Sequence, residues 1–247
     1  MNFKEFYNER VVEENIPHQI KFNYYDFINY LTYKKKWHPI GVGANATVFD
    51  KSGKNYVLKL YRNDKCYDIF LDFVEKNQNN PHLVKIQRRI VSGDSGLVAI
   101  EKLQKIDYSS WRDSLVSSLG YYLGNYDVRD SSFNEVLEGV KQNIISYYQN
   151  EINDDTIYNV NAPGIDPLEK MKRLKSAQEY KKSYFSSLKR LDYFIESYLP
   201  ALKTIYDLKT YLVKNGGRDC YMDTHLGNFM IRPSTGELVI TDPVIKS

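Results

Sequence analysis

The spacing of apolar residues changes several times along the chain, and each change marks an element. Over FNYYDFINYLTYKKK, Tyr24, Ile28 and Leu31 recur at helical spacing, so residues 1 to 37 read as a helical preface. Its lysine run, Lys34 to Lys36, complements the negative end of a helix and reads as a solvated helix end. The period then shortens. IGVGANATVF (40 to 49) and NYVLKLY read as strands joined through the KSGK turn. DKCYDIFLDFVEKN (64 to 77) returns to helical spacing, with Ile69, Phe70, Phe73 and Val74 on its apolar side. HLVKIQRRIV and GLVAIEKL follow as two strands around an SGDSG turn. This stretch predicts several strands and one helix.

From 105 to 220 the pattern is mostly helical. WRDSLVSSLGYYL and SFNEVLEGVKQNIISYY carry apolar residues three and four apart, and the polar stretch 150 to 167 reads as a long loop. A long helix is predicted over about 168 to 199, with Met171, Leu174, Leu188, Leu191, Ile195 and Leu199 on its apolar side. Its other face carries Lys170, Lys172, Arg173, Lys175, Lys181, Lys182, Lys189 and Arg190. Such a face is usually just solvated; the functional reading is the docking of an acidic partner on the helix from 170 to 190. Pro200 starts or kinks the next segment, which Gly216 and Gly217 close. Near the end, FMI and LVI flank RPSTGE, which predicts a two-stranded hairpin.

Composition narrows the class. The 247 residues suffice for one large domain or two lobes, with 42% hydrophobic and 26% charged residues. A net charge of +3 is too balanced for bulk nucleic-acid binding, and none is expected. No apolar run approaches the roughly 20 residues that span a bilayer, and the N-terminus lacks a signal-peptide core, so no membrane association is expected. The two cysteines, Cys66 and Cys220, fit neither metal-ligand spacing nor a disulfide framework, which predicts a reducing, cytoplasmic setting.

The candidate chemistry centres on Tyr221 to Val244. Asp223 is followed five positions later by Asn228, and Asp242 comes fourteen positions after that. The intervening hairpin would hold Asn228 and Asp242 close together at one end. Phosphoryl transfer from ATP needs an acceptor for the nucleophile's proton and oxygen ligands for magnesium. A carboxylate serves the first need; an amide oxygen and a second carboxylate suit Mg²⁺, which prefers hard oxygen ligands. Upstream, Gly41 and Gly43 lie where a glycine-rich hairpin can bring backbone amides to phosphates, with Val48 following and Ala46 in place of a third glycine. Lys59 then stands alone in an apolar strand.

In order, these parts resemble the protein-kinase-like fold: an α+β bilobal architecture with a small antiparallel-sheet N-lobe and a mainly helical C-lobe, here truncated after the metal-binding Asp. The resemblance implies a helical extension over 1–37, an N-lobe over 38–104 and a C-lobe over 105–247. Asp223-x-His225-x-Gly227-Asn228-x-Met230, with Ile240-Thr241-Asp242-Pro243-Val244, is most similar to the early serine/threonine kinases of coliphage T-seven and its relatives. The resemblance implies a cytoplasmic, phage-encoded, ATP- and Mg²⁺-dependent protein kinase acting on host bacterial proteins, and on itself. It assigns Asp223 as catalytic base, Asn228 and Asp242 as metal ligands, and Lys59, Gly41 and Gly43 as phosphate-binding residues. Glu75, with Asp68 and Asp72 as rivals, would pair with Lys59. Backbone groups near Glu101 and Leu103 would meet adenine, with Val48 and Leu58 packed nearby.

Several residues depart from that pattern. Tyr221 and Met222 replace the usual His and Arg, Pro243 and Val244 replace Phe and Gly, and no activation segment follows Asp242. This predicts activity without activation-loop phosphorylation. The rival readings are a small-molecule phosphotransferase of the aminoglycoside or choline kinase type, a pseudokinase-like binder of a host protein, and AMP transfer on the same fold.

Overall fold

The computed structural model describes residues 24–92, 94–106, 119, 121–129, 131–153, 164–215 and 220–246. The expectations for residues 1–23, for most of the WRDSLVSSLGYYL helix, for the centre of the 150–167 loop and for the Gly216–Gly217 cap lie outside them. The fold is mixed α/β, with antiparallel sheets and helices, and contacts divide the chain into two compact units.

The first unit comprises 1–105, 211–221 and 228–247. It opens with helix α1 (Tyr24–Asn29), continued by one wider helical turn over Tyr30–Lys34. Five strands follow as an antiparallel sheet: β1 (His38–Val42), β2 (Ala46–Asp50), β3 (Tyr56–Arg62), β4 (Ile86–Ser92) and β5 (Ser95–Glu101), ordered β1-β2-β3-β5-β4. Helix α2 (Lys65–Lys76) lies between β3 and β4 in sequence. Asp64 caps it by accepting from the Tyr67 N–H at 2.9 Å.

β3 is buried almost throughout because both of its faces are covered. Tyr56, Leu58 and Leu60 pack on one face with Phe49, Tyr24, Leu31 and Trp37. Lys59 and Tyr61 point to the other face, where Tyr67 of α2 meets both. Leu58 therefore packs toward α1, and the expectation that it lies with Val48 beside adenine is corrected. Val57 shares the Lys59 face instead, because adjacent strand residues point oppositely. Gly96 sits across from Tyr61; a Cβ there would lie 2.1 Å from the Tyr61 ring. Its bare backbone lets that ring lie flat and reach Tyr67.

Two smaller sheets complete the unit. β6 (Gln104–Lys105), β8 (Phe229–Ile231) and β9 (Leu238–Ile240) form one, and β7 (Cys220–Met222) pairs with β10 (Val244–Lys246) in the other. The predicted FMI–LVI hairpin forms in register, with Phe229 opposite Ile240 and Ile231 opposite Leu238. Gly236 supplies the positive φ of 73° that its turn requires.

The two cysteines correct the sequence reading. Cys66 of α2 and Cys220 of β7 form a disulfide, with Cα atoms 5.4 Å apart and 154 residues between them in sequence. Closing a loop of that length removes about 5 kcal/mol of unfolded-chain entropy. Such bonds persist in oxidising surroundings, so the cysteine count no longer supports a reducing compartment. Among the described residues, no helix is long and apolar enough to cross a membrane.

The second unit comprises 106–210 and 222–227. Helix α3 (Phe133–Asn153) begins with a reciprocal cap: the Ser132 N–H and hydroxyl donate to Glu135, and the Glu135 N–H returns to the Ser132 oxygen. Helix α4 (Pro167–Asn215) starts on Asp166, which accepts from the Leu168 and Glu169 amides. Pro200 does not end it; α4 runs through as one helix, and the Thr204 hydroxyl takes up the Pro200 carbonyl at 2.8 Å. Leu191, Phe194, Ile195, Leu202, Ile205 and Leu208 are buried. Met171, Leu174 and Leu199, expected on the same apolar side, are exposed.

Candidate functional site

In the first unit, β3 carries Lys59 onto the face that α2 covers. Its ammonium contacts Asp242 Oδ2 at 2.6 Å and lies 3.6 Å from the centre of the Tyr67 ring. Lys59 is buried, whereas the Asp242 side chain is 42% exposed. Burial pushes the Lys59 ammonium below its ordinary value, opposed by the Asp242 carboxylate and by Asp64. Asp64 itself is pushed up by burial, with the Tyr67 amide pulling the other way.

The hairpin places Asn228 beside the same aspartate. The Asn228 main-chain carbonyl accepts from the Thr241 N–H at 2.9 Å and the Thr241 hydroxyl at 3.0 Å. Asp242 is the next residue, so β8 and β9 bring Asn228 and Asp242 to one end of the hairpin, as the sequence predicts. The two offer hard oxygen donors. Mg²⁺ is commonly held by one or two protein groups, with phosphate and water oxygens filling the rest, and this pair fits that role. Among the described residues, no cluster of three or more His, Cys, Asp or Glu side chains offers a cation a full cage.

Glu75 does not pair with Lys59. It reaches Arg89 of β4 at 3.4 Å, and its rivals Asp68 and Asp72 bind the same guanidinium. The acids of α2 thus clamp the helix to β4, and the surface it turns toward Lys59 is Tyr67.

Glu101 is also committed elsewhere. Its carboxylate accepts two hydrogen bonds from Arg232, at 2.7 and 2.8 Å, and a third from the Lys85 N–H. Its own amide donates to the Lys85 carbonyl at 3.0 Å. The Glu101 amide and carboxylate are therefore spent on structure, and Leu103 is half-buried. In the β1–β2 hairpin, Gly41 lies opposite Val48, and the Gly43 amide donates to the Ala46 carbonyl at 2.8 Å. That leaves Ala44 and Asn45 as the two-residue loop.

In the second unit, Asp223 stands just after β7 with its side chain 27% exposed. The Gly227 N–H donates to His225 Nδ1 at 2.9 Å, which leaves Nε2 as the protonated nitrogen of the neutral ring. That nitrogen faces Asp223 Oδ2 at 3.4 Å. A Cβ on Gly227 would lie 2.6 Å from the imidazole, so the glycine of the H-x-G stretch permits this contact. Behind the loop, Thr224 is buried against Gly124, where an added Cβ would meet the Thr224 hydroxyl at 2.8 Å. Lys209 of α4 donates to the carbonyls of Gly124 and Tyr126.

No family model and no curated protein sequence matches the chain. Among solved structures, it is similar to aminoglycoside phosphotransferase APH(3'')-Id from Streptomyces rimosus, at 11% identity with a TM-score of 0.35, over 90% of this chain and 76% of that one. A likeness at that level assigns no activity.

Sequence reading missed Tyr67, Asp64, Val57 and Arg232. Tyr67 had a signal available: it lies on one helical stripe with Phe70 and Val74. Arg232 sits in a turn-rich stretch, and nothing in its spacing marks it as a residue that reaches Glu101.

Proposed function

We propose that this chain transfers phosphate from ATP to a protein hydroxyl. The observation that carries the reading is the Lys59–Asp242 contact of 2.6 Å, with Asn228 fixed beside Asp242 by Thr241. A buried cation, a half-exposed carboxylate and an amide oxygen suit a metal-bound polyphosphate. Lys59 would meet phosphate oxygens, and Asp242 and Asn228 would hold Mg²⁺. The hairpin loop at Ala44–Asn45 would cover the phosphates, with Val48 and Leu103 against the base. Bound Mg²⁺ would neutralise charge as it develops on the phosphates.

Asp223 takes the proton of the attacking hydroxyl in this reading, and His225 orients that carboxylate. Selection of serine or threonine in host bacterial proteins follows from the DxHxGNxM and ITDPV stretches, whose resemblance to early phage kinases supports it. Radiolabel from γ-labelled ATP, offered with Mg²⁺, a bacterial lysate and small-molecule acceptors, tests the reading. Labelled protein bands in wild type, absent with Asp242→Ala, are expected. Label confined to small molecules would overturn the protein acceptor, and no transfer at all would overturn the phosphotransferase.

A further inference from the structure

We infer that the Tyr67 ring is the residue that positions Lys59, in the place where a helix acid would be expected, so that Lys59 stays aimed when Asp242 turns to the metal. The inference rests on the phosphotransferase reading. All three acids on the inward run of α2, Asp68, Asp72 and Glu75, are taken by Arg89. Asp242, 2.6 Å from Lys59, is the very carboxylate a nucleotide-bound metal would claim. With Asp242 so engaged, the acids of α2 are not available to hold the Lys59 side chain in place.

Tyr67 does so instead. Its ring centre is 3.6 Å from the Lys59 ammonium, well within the distance at which the negative face of an aromatic ring holds a cation. The ring is itself fixed: it is fully buried, meets Tyr61 edge-on at 4.9 Å, and packs against Phe70. Its amide is tied to the Asp64 cap and its neighbour Cys66 to β7 by the disulfide. The Tyr67 hydroxyl is buried and, among the described residues, has no hydrogen-bond partner. A tyrosine kept at the cost of an unpaired hydroxyl serves through its ring face.

The ring face and the hydroxyl therefore make opposite predictions. Tyr67→Phe keeps the face and removes the unpaired group, so its KM for ATP is expected to stay within about twofold of wild type. Tyr67→Leu removes the face and is expected to raise KM for ATP by about 5- to 30-fold with a smaller change in kcat. Should the leucine variant fail to fold, ring-fluorinated phenylalanines at position 67 keep the shape while draining charge from the face. KM should then climb with each added fluorine.

A second readout needs no nucleotide: the rate at which an amine-acylating reagent modifies Lys59, followed by peptide mass spectrometry. Lys59 should react slowly in wild type and Tyr67→Phe, and progressively faster as the ring is fluorinated. Equal Lys59 reactivity and equal KM across the fluorinated series would overturn the inference. So would loss of ATP affinity in Tyr67→Phe, which would assign the role to the hydroxyl. If wild type binds no ATP, the phosphotransferase reading falls, while Lys59 reactivity still decides the role of the ring.

Discussion

Asp223→Asn is expected to lower phosphate transfer by about 10²–10⁴-fold, the usual contribution of a positioned general base. The substitution keeps the size and shape of the side chain. It leaves the Gly227-to-His225 hydrogen bond intact, so the loop that carries position 223 should stay in place. It removes the basic carboxylate that would take up the hydroxyl proton and the charge that His225 Nε2 faces. Because Lys59, Asn228 and Asp242 are untouched, KM for ATP should change little. Single-turnover transfer into a labelled acceptor, run beside a thermal melt, separates chemistry from folding. A variant that transfers within threefold of wild type would remove Asp223 from the base role.

Arg232→Ala is expected to destabilise the protein by about 3–5 kcal/mol, the cost of breaking a buried ion pair from one side. Arg232 is 8% exposed and makes five side-chain contacts: two with Glu101, and one each with Glu237 and the carbonyls of Pro81 and Leu83. Alanine would leave Glu101 partly buried without its counter-charge. For a chain of this length, the loss corresponds to a fall of roughly 10 °C in melting temperature. Arg232→Lys should recover only part of it, because an ammonium cannot make the paired contact with a carboxylate. Hydrogen bonds from Thr235 and Arg232 hold the Glu237 carboxyl below its ordinary value of 4.5. Its contribution is therefore present above that pH and lost as pH falls further. A melting temperature that is unchanged in the alanine variant would show that the network contributes nothing net.

The elements legible in the sequence were those whose pattern is local. The β8–β9 hairpin is written in two apolar triplets around a Pro-Ser-Thr-Gly turn, and its register puts Asn228 beside Thr241 without further information. The β4 and β5 strands follow from two β-rich runs around the SGDSG turn, and α2 from helical spacing. What was not legible depends on how elements meet. The rotation of α2 about its own axis decides whether an acid or Tyr67 faces Lys59, and Arg89, 14 to 21 residues away, settles it by drawing Asp68, Asp72 and Glu75 to itself. Leu58 lies on the side of β3 opposite to the expected one because a strand covered on both faces carries no polar side to mark its orientation. Met171 and Leu174 keep helical spacing on a stretch of α4 that leaves them exposed; periodicity reports a helix, not what covers it. The Cys66–Cys220 bond spans 154 residues, a pairing that spacing cannot show.

If Lys59, Asn228 and Asp242 hold a metal-bound nucleotide, ATP binding must depend on both Mg²⁺ and Asp242. Calorimetric titration of ATP into the intact protein, with Mg²⁺ and then with the metal chelated, tests it most directly when wild type is set beside Asp242→Asn. Mg²⁺-dependent binding is expected in wild type, and loss of that dependence in the variant. Binding that ignores both Mg²⁺ and Asp242, or no binding in wild type, would contradict it.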